Sequence, residues 1–286
     1  MRKPPWLKIQ LPKGENWRTL AGLTTAGGME TVCEEAKCPN LGECWNSGTA
    51  TFLLLGKDCT RACRFCSVET LKNPPPPDPD EPQRLVQALQ TLKLKYLVLT
   101  TVDRDDLPDQ GASHIQACVQ AVQTAFPRLP IELLMPDFRG EQGLIGQMAQ
   151  LGLTVAGHNL ECVERLSNQV RDRRCGYQQS LQVLRTLKTA NPGLTTKSGL
   201  MLGFGETQEE VIAALQDLRK AEVELVTLGQ YLQPTLTKLP VERYWPPQEF
   251  AELAVIGREM GFRFVASGPL VRSSYKAMEQ FLLEAP

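Results

Sequence analysis

The chain has 286 residues, of which 42% are hydrophobic and 22% are charged, and this composition is typical of a globular protein with a buried core. Its 31 Lys and Arg nearly balance 32 Asp and Glu, which argues against a nonspecific nucleic-acid binder with a uniformly basic surface. The N-terminal stretch MRKPPWLKIQ precedes no apolar run, and no segment reaches the about 18 apolar residues of a membrane helix. We therefore expect an unprocessed cytoplasmic protein that binds neither membranes nor nucleic acid.

Short apolar runs alternate with amphipathic helical patterns along most of the chain. The run TATFLLLGK (49–57) predicts the first buried strand, and YLVLTTV (96–102) predicts the second. Further strands are predicted in IELLMP, TVAGHNL, KSGLMLG, LVTLGQYL and FRFVASGP, which begin at residues 131, 154, 197, 225 and 262. A capping box, Thr207 with Glu210, opens one of the later helices. Alternating strands and helices predict a parallel sheet with right-handed crossovers, either an open doubly wound sheet or a barrel.

Polar or glycine-rich residues follow most of the predicted strands, as in TTVDRDD, GHNLE and GQYLQPT. Barrel enzymes carry their functional residues at the carboxyl ends of the strands. The cysteine-rich loop DCTRACRFC (58–66) directly follows the first strand and so belongs to the same rim. This rim is the predicted functional site.

The chain has nine cysteines, and six of them lie between Cys33 and Cys66, which in a protein without a leader favours metal ligation over disulfides. The loop triad (Cys59, Cys63 and Cys66) has the spacing C-x3-C-x2-C. Three thiolates leave one iron of a four-iron cluster open to a small ligand. Zinc is the alternative, but it needs a fourth ligand, and neither histidine lies at zinc-finger spacing.

A second set of cysteines, the N-terminal triad (Cys33, Cys38 and Cys44), has the spacing C-x4-C-x5-C in CEEAKCPNLGEC. Together with GHNLECVERL, TTKSGLMLGFGET, GQYLQPT and SGPLVRSSY, the two triads resemble the lipoyl synthase family of radical S-adenosylmethionine enzymes. The resemblance covers nearly the whole chain from RKPPWLK onward. It implies an α/β fold, a partial (β/α)6 TIM-like barrel with N-terminal and C-terminal extensions that cover the barrel mouth.

The resemblance also implies the division of the chain. Residues 1–48 would form an extension that carries the auxiliary cluster motif. Residues 49–262 would form the barrel, and residues 263–286 a C-terminal strand and helix with the RSSY motif.

The implied reaction is the insertion of two sulfur atoms at the sixth and eighth carbons of an octanoyl group that is amide-linked to a lysine of a lipoyl carrier protein. The carrier would be the H protein or the lipoyl domain of an acyltransferase. Two [4Fe-4S] clusters and S-adenosylmethionine are the implied cofactors. One cluster would cleave S-adenosylmethionine to a 5′-deoxyadenosyl radical, and the auxiliary cluster would supply the sulfur. The implied partners are a reductant such as ferredoxin or flavodoxin and an iron–sulfur protein that repairs the consumed cluster.

Matching motif positions assign roles to individual residues. The resemblance implies that the loop triad holds the radical cluster and that the N-terminal triad holds the auxiliary cluster, with a serine of RSSY as its fourth ligand. We favour Ser274 over Ser273 for that ligand. The predicted contacts to the cofactor are Phe65, Thr101, Asp103, Asn159, Glu161 and Arg171. For Arg171, the alternative is that it is a solvated surface charge.

One loop departs from the family's pattern, and one basic segment has two possible interpretations. The loop LQPTLTKLPVERYW lacks the histidine pair of many members, and Leu236 to Lys238 occupy the region. The basic segment VRDRRCGY, with Arg171, Arg173 and Arg174, is a candidate docking patch for an acidic carrier domain, and solvation of a helix end is the alternative. Cysteines without cluster spacing are interpreted as structural thiols: Cys118, Cys162 and Cys175.

Two rival classes are compatible with cysteine triads. A different sulfur-inserting or methylthiolating radical enzyme would share the loop triad but carry its other cysteines at other spacings. A non-enzymatic iron–sulfur electron carrier would have little use for a strand–helix body of this size with polar strand ends.

Overall fold

A computed structural model of the protein describes residues 2–8, 22, 28–38, 40–46, 51–92 and 94–274. The start of the first predicted strand and the helix expected after the RSSY motif lie outside the described residues. No described helix is both long enough and apolar enough to cross a membrane.

The strands run parallel and alternate with helices, as the sequence predicts. In chain order they are β1 (Thr51–Leu54), β2 (Asp58–Cys59), β3 (Glu69–Thr70), β4 (Leu97–Thr101), β5 (Ile131–Leu134), β6 (Val155–Gly157), β7 (Thr195–Leu202), β8 (Leu225–Gln230) and β9 (Phe264–Gly268). Seven of them form one parallel sheet in the order β1, β4, β5, β6, β7, β8, β9, and β2 pairs with β3. All seven predicted strands are present. The sheet does not close, since β1 and β9 are its edges, so it is a partial barrel.

Two short helices precede the sheet, and the others connect its strands. They are α1 (Val32–Glu35), α2 (Leu41–Asn46), α3 (Glu81–Leu92), α4 (Ala112–Ala125), α5 (Gln142–Ala149), α6 (Ser167–Val170), α7 (Tyr177–Ala190), α8 (Gln208–Lys220) and α9 (Pro247–Glu259). The predicted capping box opens α8, where the Thr207 hydroxyl accepts from the amide of Glu210 and the Glu210 carboxylate accepts from the amide of Thr207. The box satisfies two amides that have no partner within the helix.

The crossover helices cover the outer face of the sheet, and their apolar stripes make the core. One buried cluster joins β1, β4 and β5 to α3, α4 and α5, and a second joins β7 and β8 to α7, α8 and α9. Cys118 is fully buried in the first cluster, which confirms the prediction of a core thiol. Because burial of apolar surface drives folding, these helices fix the positions of the strand ends.

Segments from both chain ends lie beside the open end of the sheet. The N-terminal segment (residues 28–46) is attached to β1 by a bridge between Thr31 and Phe52 and by the amide of Leu53, which donates to the Glu30 carbonyl at 2.9 Å. The C-terminal segment (residues 269–274) crosses β8 at Gly229, where a Cβ atom would lie 2.0 Å from the Val271 carbonyl oxygen. A side chain at that glycine would displace the C-terminal segment.

Candidate functional site

A cavity of about 280 Å³ lies at the carboxyl ends of the strands. Its volume is near the lower end of the range for small-molecule sites, about 300 Å³. All nine residues that the sequence assigns to the loop triad and its cofactor line this cavity: Cys59, Cys63, Phe65, Cys66, Thr101, Asp103, Asn159, Glu161 and Arg171. Residues from six strand ends and the cysteine loop therefore meet at one site.

The cysteine loop is fixed to the end of β4 by hydrogen bonds. The amide and the hydroxyl of Thr60 both donate to the Asp103 carbonyl at 2.9 Å. The Cys59 sulfur accepts from the amides of Arg61 and Asp103, each at 3.4 Å. Burial, together with the Asp103 carboxylate, raises the pKa of Cys59 to about 12, so this thiol needs a bound metal to ionise.

The sulfur atoms of the two triads do not converge on a position for a single metal ion. Ligands of a tetrahedral zinc stand about 4 Å apart, because each is about 2.3 Å or less from the metal. Among the described residues, the group whose ligand atoms all lie within 4.8 Å of one another is Glu81, His114 and Cys118, outside both triads. An iron–sulfur cluster does not need such convergence, because each thiolate binds its own iron.

Arg61 lies at the centre of a buried charge network that the sequence did not reveal. Its side chain is 2% exposed, and its guanidinium pairs with Asp105 at 2.8 Å, Asp137 at 2.7 Å and Asp103 at 3.3 Å. Asp137 has a pKa of about 2, because hydrogen bonds from Arg61 outweigh the opposing effect of burial. Asp103 and Asp105 follow β4 and Asp137 follows β5, so one guanidinium joins the cysteine loop to the ends of both strands.

Two acidic side chains of the cavity are shifted toward the neutral form. Burial raises the pKa of Asp103 to about 6, against the opposing charge of Arg61. Burial also raises the pKa of Glu161, against Arg171 and a hydrogen bond from Asn159 at 3.1 Å. A cationic ligand in the cavity would favour the charged form of both carboxylates.

Two further polar groups face this cavity. Arg171 is 5% exposed and donates to the Ser180 hydroxyl at 2.8 Å, so the reading of a solvated surface charge is wrong. The hydroxyl of Thr101 is buried and has no hydrogen-bond partner among the residues that the structure describes. Such an unpaired buried group is costly, and a polar ligand would satisfy it.

His158 lines the cavity but is held by the protein on both ring nitrogens. Nδ1 lies 3.0 Å from the Met135 carbonyl oxygen, and Nε2 lies 2.9 Å from the Ser180 hydroxyl. Burial lowers the pKa of His158 to about 4, so the ring is neutral near pH 7. It orients the carbonyl at the end of β5 and the hydroxyl that Arg171 also contacts.

Cys175, which the sequence presents as a structural thiol, has polar partners at the cavity. Cys175 lines the cavity, is hydrogen-bonded to Cys63, and accepts from the Arg61 guanidinium at 3.3 Å. No spacing rule could indicate it, because it lies on the loop before α7, far from the cysteine loop in sequence. Cys162 is 1% exposed within the second core cluster and fits the structural interpretation.

The N-terminal triad lies next to the cavity but does not line it. Val32 and Ala36 of the same segment line the wall, whereas the three thiols do not. Burial, with Cys38 close by, raises the pKa of Cys33 to about 11. Backbone hydrogen bonds shape the segment, with the Cys38 amide donating to the Cys33 carbonyl at 3.0 Å and the Cys44 amide donating to the Asn40 carbonyl at 2.9 Å.

The C-terminal segment lies close to both the cavity and the N-terminal triad. Val271, Arg272 and Ser273 line the cavity, and Ser274 is not among its lining residues. Burial lowers the pKa of Arg272, and the neighbouring Cys38 opposes this shift, so the guanidinium lies near that thiol. The choice of Ser274 over Ser273 as a ligand remains a prediction.

Comparisons with known proteins agree with this geometry. The profile of the Radical SAM superfamily matches residues 53–218. The chain is 53% identical over 276 residues to a lipoyl synthase of Halorhodospira halophila, covering 96% of this chain and 83% of that protein. It is 50% identical over 280 residues to a lipoyl synthase of Methanocella arvoryzae, covering 98% and 95%.

Solved structures of low sequence identity share this fold. Methylornithine synthase (PylB) has a TM-score of 0.56 at 14% identity, covering 76% of this chain and 70% of that one. The hydrogenase maturase HydG has a TM-score of 0.60 at 13% identity, covering 76% and 51%. At these identities the likeness shows the fold alone.

Proposed function

Because the chain belongs to the lipoyl synthase family of radical S-adenosylmethionine enzymes, we propose that its two cysteine triads divide the reaction between them. The enzyme inserts two sulfur atoms into a protein-bound octanoyl group and uses S-adenosylmethionine and [4Fe-4S] clusters. We assign the radical cluster to the loop triad and the auxiliary cluster, the sulfur source, to the N-terminal triad. The supporting observation is that the loop triad shares its cavity with buried polar residues suited to a charged cofactor, whereas the N-terminal triad does not.

When bound, the radical cluster with S-adenosylmethionine supplies the one-electron chemistry that breaks unactivated C–H bonds, which no acid or base in a protein can do. The residues of the chain bind and orient the cofactor. Asp103 and Glu161, which line the cavity, would accept from its ammonium group, and the Thr101 hydroxyl would hydrogen-bond to it. Arg171 would provide the cation for its carboxylate.

The N-terminal and C-terminal segments would shield the site from water and bring the second cluster to its rim. Both segments contribute residues to the cavity wall, Val32 and Ala36 from one and Val271 to Ser273 from the other. A water-poor cavity protects reactive species from side reactions. We assign the fourth position of the auxiliary cluster to Ser274, since a hard alkoxide holds iron less firmly than thiolate and is suited to a cluster that is consumed.

The test of the proposed function is mass spectrometry of an octanoylated carrier peptide after anaerobic incubation with the enzyme, S-adenosylmethionine and dithionite. We expect product that has gained two sulfur atoms, and iron and sulfide counts for two clusters per chain. A different sulfur-inserting enzyme would leave the octanoyl peptide unchanged, and an electron carrier would not cleave S-adenosylmethionine.

Substitution of Ser274 tests the predicted fourth ligand. Ser274→Cys is expected to slow iron release to a chelator and to raise the ratio of singly to doubly thiolated peptide in single-turnover assays, because thiolate is the softer ligand. Ser274→Ala is expected to speed iron release. If Ser273→Cys changes these quantities and Ser274→Cys does not, the ligand is Ser273.

We also propose where the carrier protein docks. The basic segment before α7 is a smaller patch than its sequence predicts, because Arg171 is buried and Arg174 pairs with Asp172 and Asp105. Exposed cations that remain near the cysteine loop are Arg64 and Arg173.

An exposed leucine extends this surface. Leu236 is 95% exposed at the tip of the loop that follows β8. The loop is held by the Leu239 amide, which donates to the Arg64 carbonyl at 3.0 Å, and by the Gln233 side chain, which donates to the Lys238 carbonyl at 2.8 Å. A rigid apolar tip beside cations suits an acidic carrier domain, either the H protein or an acyltransferase lipoyl domain. A reductant such as ferredoxin or flavodoxin and a cluster-repair protein complete the proposed partners.

Charge reversal at this surface is expected to raise KM for the carrier protein. Arg64→Glu with Arg173→Glu should raise it about tenfold, or about 1.4 kcal/mol, and leave KM for a short octanoyl-lysine peptide unchanged. Arg128, exposed at the opposite end of the sheet, provides the control, since Arg128→Glu alters charge away from the mouth. If KM rose equally for the carrier protein and for the short peptide, this surface would not be the docking site of the carrier.

A further inference from the structure

The N-terminal triad and the serine motif come from opposite ends of the chain, and Asn40 joins them. Its side-chain amide donates to the Leu270 carbonyl at 2.5 Å, and the residue is 3% exposed. Asn40 lies between Cys38 and Cys44, and its own carbonyl accepts from the Cys44 amide at 2.9 Å. One residue therefore contacts both the helix that carries Cys44 and the segment that carries Ser274.

The carbonyl that Asn40 contacts belongs to a segment with a restricted path. The Val271 amide donates to the Gly268 carbonyl at 3.0 Å, which closes a turn around Leu270. Because glycine has no side chain, the Val271 carbonyl can lie against β8 at Gly229. The contact with Asn40 adds an attachment on the side of the N-terminal triad, just before Arg272, Ser273 and Ser274.

An amide suits this position because of its chemistry. A partly buried carbonyl oxygen benefits from a donor, and the neutral amide of asparagine supplies one without placing a charge near thiolates. Aspartate has the same shape but would set a carboxylate against the carbonyl. Alanine would leave the carbonyl without this donor and open a gap between the two segments.

We propose that Asn40 is a positioning residue that sets the C-terminal segment against the N-terminal triad, so that a serine hydroxyl completes the auxiliary cluster site. This inference rests on the proposed assignment of the auxiliary cluster to that triad. Asn40 does not bind the cluster itself. It acts through the Leu270 carbonyl on the position of the serine.

The experiment measures iron bound by the N-terminal triad alone. In the full chain with Cys59, Cys63 and Cys66 replaced by alanine, all cluster iron reports on the N-terminal triad. Asn40→Asp and Asn40→Ala are expected to release iron to a chelator about tenfold faster and to lose the Mössbauer signature of an iron with an oxygen ligand. The matched control is Asn191→Ala, since Asn191 donates to the Ala149 carbonyl at 3.0 Å at the other end of the sheet. It should leave both quantities unchanged.

A double-mutant cycle separates positioning from general support of the fold. If Asn40 acts through the serine, Asn40→Asp should add little to the iron release of a variant that also carries Ser273→Ala and Ser274→Ala. An unchanged signature in Asn40→Asp, or an equal acceleration with and without the serines, would overturn the inference. If Cys38→Ala in the same background kept all of its iron, the assignment of the auxiliary cluster to the N-terminal triad would be wrong, whatever the result for the Asn40 variants.

Discussion

Replacing Cys63 with alanine is expected to abolish cleavage of S-adenosylmethionine, whereas replacing Cys38 is expected to leave part of that cleavage and abolish sulfur insertion. The reason is that Cys63 lines the cavity with the predicted cofactor residues, and Cys38 belongs to the triad outside it. The measurements are 5′-deoxyadenosine by chromatography and thiolated carrier peptide by mass spectrometry, under single-turnover conditions.

A buried cysteine elsewhere in the chain is the matched control for these variants. Cys118 is fully buried in the core beside α3, so Cys118→Ala removes a thiol without touching either triad. It should keep both activities, with a lower free energy of unfolding because of the small cavity left behind. Equal cleavage of S-adenosylmethionine by the Cys63 and Cys38 variants would show that the loop triad does not hold the radical cluster.

Replacing Arg61 with methionine is expected to lower the free energy of unfolding by about 3–5 kcal/mol, which is the cost of removing one partner from a buried ion pair. The guanidinium is 2% exposed, and its loss leaves the carboxylates of Asp105 and Asp137, 4% and 0% exposed, without this cation. We also expect less iron per chain after reconstitution, because Arg61 lies between Cys59 and Cys63 of the loop triad. Urea unfolding and iron analysis of the same preparations provide the two measurements.

An exposed ion pair controls for the loss of charge. Arg243 pairs with Glu249 at 2.6 Å, but the two side chains are 44% and 26% exposed. Such pairs add little to stability in water, so Arg243→Met should leave the free energy of unfolding and the iron content nearly unchanged. If Arg61→Met and Arg243→Met lowered the free energy of unfolding and the iron content by similar amounts, the Arg61 network would not be what holds the cysteine loop.

Local sequence patterns were sufficient to predict the fold and to single out the cysteines of the loop triad. The strand at 96–102 and the capping box at Thr207 are visible because apolar runs and cap residues act over a few neighbouring positions. The cysteine spacings are visible for the same reason, since Cys59, Cys63 and Cys66 lie on one loop. Parallel topology then predicted that polar residues after different strands, such as Thr101 and Glu161, would meet at one rim.

The burial and the partners of individual side chains were decided only by the tertiary structure. From VRDRRCGY alone, Arg171 is compatible with a cofactor contact or with a surface charge, and only the packing against α7 shows that it is buried beside the cavity. Cys175 has no cluster spacing, yet its loop places it against Cys63. The contact from Asn40 to Leu270 spans 230 positions of the chain. Contacts of this kind depend on how separate loops pack on the sheet, and no periodicity within a short stretch of sequence encodes that packing.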